Sequence, residues 1–418
     1  MSALVIFSLA LIAGAVLPLA VRPILQRFNM VDMPNERSSH TTPTYRGMGL
    51  ATACAALLAM LVALLAGWML NAPIAWTLLL AIAAACALGW CEDISGVGIK
   101  ARAGVQLLIG IVASVILANI IEPEWAVPVW ILVAICAIFV AGYINVVNFM
   151  DGINGISGSH GLLAGLAYGY TGYLVDLPWL SLSGLAIAGA YAAFIPWNIR
   201  PGKNVFLGDA GSYTLGAALG LLAVAGFFAG VNPVMMLAPL LVYLTDSALT
   251  LARRVLAGEQ WYKPHRTHVY QRLTDVGFSH LGSTSLVAGA TVLCWALGMI
   301  AGDALDTGQY VLASVLIVLI LAVLGFYWFS PVLLAKKSTG SSEGVADTKT
   351  ESVKHNLAHS VEKTQILSVS AHEGAESAQS VVSDDSKGSN AEKSAEKSVF
   401  ETRSVSATHP HENAEKEG

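Results

Sequence analysis

Eleven apolar runs punctuate the first 337 residues, at roughly 3–21, 48–70, 73–90, 104–121, 126–144, 160–175, 179–196, 208–229, 233–251, 284–302 and 309–330. Each reaches or nearly reaches the length of about 20 residues that a helix needs to cross the hydrocarbon core of a bilayer. Several are short or rich in Gly and Ala, which suits helices packed against helices rather than lipid. The pattern predicts an all-α, polytopic membrane bundle of about eleven transmembrane helices. The first run has no basic flank before it, and Arg22 and Arg27 follow it. It reads as an uncleaved span with an external, periplasmic N-terminus. The pattern stops after Lys337. Residues 338–418 are rich in Ser, Glu, Lys, Ala and His without a hydrophobic period. Such a segment buries too little apolar surface to offset its ordering entropy. The expected organisation is a transmembrane domain over 1–337 and a disordered cytoplasmic tail over 338–418.

Composition agrees. The chain is 55% hydrophobic and 12% charged, with a mean hydropathy of +0.63, whereas soluble domains carry about twice that charge fraction. The net charge of −5 belongs to the tail, which holds 8 Lys+Arg against 14 Asp+Glu, while the body is balanced at 15 against 14. A soluble globular enzyme and a basic nucleic-acid binder are both excluded. With the N-terminus outside, the cytoplasmic segments are 22–47, 91–103, 145–159, 197–207, 252–283 and everything after 331. They hold every Lys and Arg of the body, while the external connections hold only Glu122, Glu124, Asp176, Asp303 and Asp306. This is the partition that the positive-inside rule requires, and it puts the C-terminus in the cytoplasm. Cys54, Cys86, Cys91, Cys136 and Cys294 show no metal-ligand spacing and read as small hydrophobes. The five tail histidines are too widely spread to form a metal site.

Candidate chemistry lies on the cytoplasmic loops. Four segments carry it: Asp32 to His40, continuing through Pro43 to Arg46-Gly-Met-Gly49; Cys91-Glu92-Asp93; Asn145-Val-Val-Asn148-Phe-Met-Asp151-Gly-Ile-Asn154-Gly155; and Asn204-Val-Phe206-Leu-Gly208-Asp209-Ala-Gly211-Ser212. A larger loop adds His265-Arg-Thr-His268-Val-Tyr270-Gln-Arg272. Carboxylates of Asp93, Asp151 and Asp209 without cysteine suit Mg²⁺, with Mn²⁺ as the alternative, shared with phosphate oxygens. Flanking glycines let backbone approach a ligand, and clustered Arg, Lys and His supply charge for phosphate. Together they describe a site for a metal-bound diphosphate beside a bilayer. A lone Asp more often caps a helix or meets a loop Arg, but three acidic motifs and a His-Arg-x-His loop on one face outweigh that reading. A transporter would instead carry ionisable groups inside its spans. Here Asp246 is the only acidic residue well inside one. His160 opens an apolar span and reads as packing.

These motifs, in this order and topology, resemble the polyprenyl-phosphate N-acetylhexosamine-1-phosphate transferases over about residues 30–275. The shared features are Asp-x-Pro-Asn-x-Arg…His before a Pro-x-x-Arg-Gly-Gly-Gly turn, an acidic pair after the third span, Asn-x-x-Asn-x-x-Asp-Gly-x-Asn-Gly, and Phe-x-Gly-Asp-x-Gly-Ser. The resemblance implies transfer of a sugar-1-phosphate from a UDP-N-acetyl sugar to undecaprenyl phosphate with release of UMP, in assembly of O-antigen, lipopolysaccharide or a related glycan. The His-Arg-Thr-His loop departs from the triple-His loop of the phospho-MurNAc-pentapeptide transferases, the alternative within the family; a multi-pass transporter is the alternative outside it. Carried onto this chain, the resemblance implies catalytic positions at Glu92, Asp93, Asp151, His265 and His268. It implies substrate binding by His40, Asn148, Asn154, Asn198, Phe206 and Arg266, and a Mg²⁺ held by Asp209 with Asp93. The implied partners are the UDP-N-acetyl sugar, undecaprenyl phosphate and membrane lipid, without nucleic acid and with room for a homodimer. The implied location is the bacterial inner membrane, with the site facing the cytoplasm. Two positions depart from the pattern: the Asp-Asp pair is Glu92-Asp93, and the Gly-Gly-Gly turn is Gly47-Met48-Gly49. The expectation at Glu92 is that negative charge alone is needed.

Overall fold

The computed structural model describes residues 1–32, 44–125, 127–200, 205–260 and 265–338. His40 and the tail expected over 338–418, from residue 339 onward, lie outside them. The helices are α1 (Ser2–Arg27), α2 (Gly49–Leu65), α3 (Ala72–Ser95), α4 (Ile99–Ile121), α5 (Val129–Met150), α6 (Ile156–Leu174), α7 (Pro178–Asn198), α8 (Gly208–Phe228), α9 (Pro233–Leu237), α10 (Leu241–Leu256), α11 (Val269–Asp275), α12 (His280–Asp306) and α13 (Tyr310–Ser338). A short 3₁₀ turn, Ala238–Leu240, joins α9 to α10. The strands among the described residues are β1 (Val31–Asp32) and β2 (Thr44–Tyr45), an antiparallel pair.

Every one of the eleven apolar runs is helical, but the expected span count does not carry over intact. Among the described residues nine helices are long and apolar enough to cross a membrane, with α9 and α10 counted together as Pro233–Leu256. Helix α2 has 17 residues and falls short in length. Helix α6 is interrupted by His160, Tyr and Gly, which lowers its apolarity. Its glycines serve packing instead. A Cβ at Gly165 would lie 2.7 Å from Ala188 N, and one at Gly184 would lie 2.5 Å from Gly169 N, so the backbones of α6 and α7 touch. This is the small-residue contact that holds membrane helices together where lipid removes the hydrophobic drive. The result is a multi-pass membrane helical bundle.

Helix α8 is the centre. In its most apolar stretch 94% of residues are buried, against 28% for α1 and α13 at the periphery. Arg46, Asp93, Asn148 and Asp209 meet at one end of the bundle. Elsewhere Ser2 and Asp176, from segments read as external, line one cavity with Trp68 and Tyr173, from the ends of two runs read as spans. The cysteines behave as read for Cys86, Cys136 and Cys294, which are buried, whereas Cys54 and Cys91 are exposed.

Candidate active site

The site is assembled around the first turn of α8. Gly208 opens that helix at φ +75°, a conformation that a side chain disfavours, and a Cβ there would lie 2.8 Å from both Asp93 Oδ2 and Gly47 Cα. Backbone pairing brings the first and fourth motifs together: Phe206 N donates to Tyr45 O (2.8 Å), Met48 N to Phe206 O (3.1 Å) and Gly49 N to Leu207 O (2.7 Å). A Cβ at Gly49 would collide with Leu207 O and with Gly211 Cα, and one at Gly89 of α3 with the Asp209 carbonyl. Helices α2 and α3 therefore pass close to the start of α8. Met48, where the family pattern has glycine, has φ −64° and ψ −17° and is 1% exposed in the core. It occupies the one position of the three that needs neither a positive φ nor close backbone approach.

The Asp93 side chain is fully buried. Its Oδ1 accepts from Asp209 N and its Oδ2 from Ala210 N, both at 2.9 Å. It thus caps the N-terminus of α8 from another helix, satisfying donors that lack an intrahelical partner. Arg46 bridges the two carboxylates, with Nε donating to Asp93 Oδ1 (3.1 Å) and Nη2 to Asp209 Oδ2. Asn148 Nδ2 donates to Asp209 Oδ1 (2.6 Å) and to Ser212 Oγ (3.1 Å). Asp151 follows immediately at the end of α5. Burial pushes its carboxyl up to about 7, the charges of Asp209 and Asp93 add to the rise, and Ser157 and Arg46 pull against it. Arg46 thus bonds Asp93 and Asp209, and its charge also reaches Asp151.

Other predicted residues do different work. Glu92 faces the α3–α4 turn: its Oε2 accepts from Val97 N (2.7 Å) and its Oε1 pairs with Arg102 Nη1 (3.1 Å). Asn198, 6% exposed, accepts from Gly155 N at Oδ1 and donates to Val205 O (2.8 Å), tying the third motif to the fourth. Asn154 uses its backbone, accepting from Thr284 Oγ1 at 3.0 Å and donating weakly to His280 Nδ1 at 3.4 Å. Phe206 is half-buried in the β-like pairing. Arg266 reaches Asp275 at 3.4 Å. His160 is buried as expected, bonded to Tyr143 Oη at 2.7 Å and stacked on Tyr243 at 3.7 Å.

The His-Arg-Thr-His loop docks on the end of α5. Tyr270 Oη donates to Phe149 O (2.9 Å), and a Cβ at Gly152 would strike that hydroxyl. Burial drives the Tyr270 hydroxyl well above its ordinary range, so it stays a donor. His265 stacks on His268 at 5.0 Å. Burial, then the neighbouring His268 and Arg254, lower His265 to about 4, so it is a neutral imidazole near pH 7. Two residues with no assigned role stand out. Arg46 lay inside a quoted motif, but its bond to Asp209 spans 163 positions. Asp246 had its signal, an acid inside a span, but no visible partner.

Among the described residues no group of three or more His, Cys, Asp or Glu forms a ready-made metal cage. Mg²⁺ at a diphosphate uses one or two protein carboxylates, with phosphate oxygens and waters completing the shell. The donor set fits that use. Asp209 and Asp93 already share a cationic group, the Arg46 guanidinium, whose side chain is 44% exposed.

Comparison with known proteins points the same way. Residues 75–227 match the model of glycosyl transferase family 4. That match covers the second, third and fourth of the loop motifs, in line with the resemblance read from them. The chain is 29% identical over 307 residues to a decaprenyl-phosphate N-acetylglucosaminephosphotransferase of Mycolicibacterium smegmatis, covering 64% of this chain and 74% of that protein. It is 24% identical over 301 residues to a probable undecaprenyl-phosphate N-acetylglucosaminyl 1-phosphate transferase of Bacillus subtilis, covering 68% and 80%. It is also 25% identical over 245 residues to a phospho-N-acetylmuramoyl-pentapeptide-transferase of Lactiplantibacillus plantarum, covering 53% and 76%. The family segment contains Asp93, Asn148, Asp151 and Asp209; Arg46 and the His-Arg-Thr-His loop lie outside it.

Proposed function

We propose that this protein transfers an N-acetylhexosamine-1-phosphate from a UDP-sugar to undecaprenyl phosphate at the cytoplasmic face of a bacterial inner membrane, starting O-antigen or a related lipid-linked glycan. The observation that carries the reading is the convergence on Asp209 of Arg46, Asp93 and Asn148, from three separate loop motifs. An oxygen of the acceptor phosphate forms a bond to the β-phosphorus of the UDP-sugar. The bond from that phosphorus to the bridging oxygen breaks, and UMP leaves. The acceptor monoester is largely ionised near neutral pH, so no obligate base is required. Asp209, with Asp93, would hold Mg²⁺, or Mn²⁺, which when bound neutralises the charge of the diphosphate.

The protein's own groups supply alignment, the larger part of phosphoryl-transfer catalysis. Asn148 fixes one oxygen of Asp209, and the half-exposed Arg46 guanidinium is the cation at the other. Asp93 acts mainly as the cap that sets the first turn of α8. Neutral His265 donates a hydrogen bond to phosphate or sugar, and His268, bonded to Asp246 through Nδ1, offers its Nε2 to a sugar hydroxyl, with Arg266 beside them. Phe206 offers a face for uracil stacking, and Asn154 and Asp151 supply polar contacts to the nucleotide. Asn198 and Glu92 are supports for these loops. Residues 338–418 are a polar cytoplasmic tail that the transfer does not use.

The test is incubation of purified, membrane-reconstituted protein with undecaprenyl phosphate, Mg²⁺ and a panel of UDP-sugars including UDP-MurNAc-pentapeptide. UMP release with a UDP-N-acetylhexosamine supports the reading. Release with the pentapeptide substrate alone moves the protein to the other branch of the family, and no acceptor-dependent release with any sugar refutes it.

A further inference from the structure

Asp246 lies in α10, inside the membrane-spanning stretch, and is 0% exposed. An ionised side chain at that depth is costly unless it is fully partnered, and such residues mark function more often than packing. Its partners come from three elements. Oδ1 accepts from His268 Nδ1 (2.9 Å), from Thr250 Oγ1 on α10 itself (3.2 Å) and from Val269 N at the start of α11 (3.2 Å). Oδ2 accepts from Val269 N (3.1 Å) and from Tyr327 Oη on α13 (2.7 Å).

The consequence falls on His268. A histidine that donates from Nδ1 is fixed in tautomer and ring orientation by that bond. The ring is also clamped on its faces, stacked on His265 at 5.0 Å and on Tyr270 at 5.7 Å, with Phe149 at 6.4 Å. The bond to Asp246 uses Nδ1 and leaves Nε2 on the opposite side of the ring. Tyr270 is itself bonded to the carbonyl of Phe149, two positions before Asp151. An acid buried within the bundle thus controls the orientation of a ring at the edge of the cytoplasmic site.

We infer that Asp246 is a positioning residue for the transfer reaction, holding His268 in the Nδ1–H form so that Nε2 is presented as an acceptor to a hydroxyl of the sugar. What it supplies is an acceptor at a fixed place rather than net charge. An asparagine can do the same, because its Oδ1 accepts from His268 and Val269 while its amide donates to the Tyr327 oxygen. An alanine cannot.

The experiment uses the full chain in lipid nanodiscs with ¹⁵N-labelled histidine, His268→Gln serving to assign the resonance, and measures kcat and KM per folded protein. Expected are a single Nδ1–H tautomer of His268 in the wild type and in Asp246→Asn, and a mixture of tautomers in Asp246→Ala. The kinetic arm rests on the transferase reading. There Asp246→Ala should lose about a hundredfold in kcat, the scale of an ångström-sized misplacement, with KM changed only a few-fold, and Asp246→Asn should stay within about tenfold of wild type. A single tautomer in Asp246→Ala, or equal losses in kcat for the two variants, overturns the proposal. If Asp246→Ala does not fold, Asp246→Asn carries the test: a single tautomer with near-normal kcat supports it, and mixed tautomers overturn it. The spectroscopic arm needs no substrate, so a wild-type protein that releases no UMP refutes the transferase reading while the tautomers still decide the role of Asp246.

Discussion

Asp209 and Asp246 are both buried aspartates that receive donors from distant loops, yet they are built for opposite ends. Asp246 is closed to solvent, and its donors belong to α10, α11, α13 and the loop before α11. None of these has to leave. Asp209 keeps 7% of its surface, sits beside Asp93 and Asp151, and is balanced by a guanidinium whose side chain is 44% exposed. Like charges at close range disfavour one another's ionised form, and among the described residues Arg46 is the cation bonded to Asp93 and Asp209. A carboxylate with fixed donors holds a loop. A carboxylate with a displaceable donor and like-charged neighbours is suited to receive a ligand cation.

The largest expected effect breaks this comparison directly. Asp209→Asn keeps the shape but removes the charge, and transfer should fall by about a thousandfold or more, since a metal's charge stabilisation is worth several kcal/mol. Asp246→Asn should lose no more than about tenfold. Similar losses in turnover for the two variants, measured as UMP release at saturating Mg²⁺, would erase the distinction between the two aspartates. Next is Arg46→Met, which leaves Asp93 and Asp209 facing each other without their bridge. It should cost about a hundredfold in turnover with the membrane-inserted fold retained, and unchanged turnover would remove Arg46 from the site.

Smaller effects sharpen the picture. Glu92 reaches both Val97 N and Arg102, so its length matters more than charge near the diphosphate, which reverses the expectation drawn from the motif. Glu92→Asp should lower the thermal midpoint more than Glu92→Gln, because the amide can still accept from Val97. The pair with Arg102 supports the α3–α4 turn rather than the reacting groups, so turnover should change about a few-fold in either variant. A large loss confined to Glu92→Gln would restore the charge reading. The smallest effect concerns pH. Asp151 has its carboxyl raised from 3.8 to about 7, so between those values the folded state binds more protons than the unfolded one. Its contribution to stability is therefore full at low pH and is lost as pH rises through about 7. Asp151→Asn should raise the thermal midpoint more at pH 8 than at pH 5, and equal shifts at both would contradict the assignment.

Much of this was legible in the sequence, and the reasons are specific. Apolar runs of span length dictate helices whatever their neighbours, so all eleven runs are helical. The ends of α3, α5 and α8, which carry three of the acidic and amide motifs, meet at one place. Boundaries moved where side chains rather than hydropathy decide them: α10 continues to Leu256 through Arg253 and Arg254, and α11 lies inside the larger loop that follows it. Asp209 was legible as the centre of the site because its motif is local. The roles of Arg46, Asn198, Glu92 and Asp246 were not, since each depends on a partner that pairing in space supplies. Met48 shows the converse. It departs from the motif, but the backbone conformation at that position asks nothing of a glycine.

The most direct test follows the β-phosphate. Reconstituted protein is given undecaprenyl phosphate, Mg²⁺ and a UDP-N-acetylhexosamine carrying ³²P at the β position, and the label is followed between the lipid and aqueous phases. The account predicts that label enters the lipid phase in step with unlabelled UMP, because the bond broken is the one between the bridging oxygen and the β-phosphorus. Label remaining in the aqueous phase as UDP, with the sugar alone transferred to lipid, would contradict it.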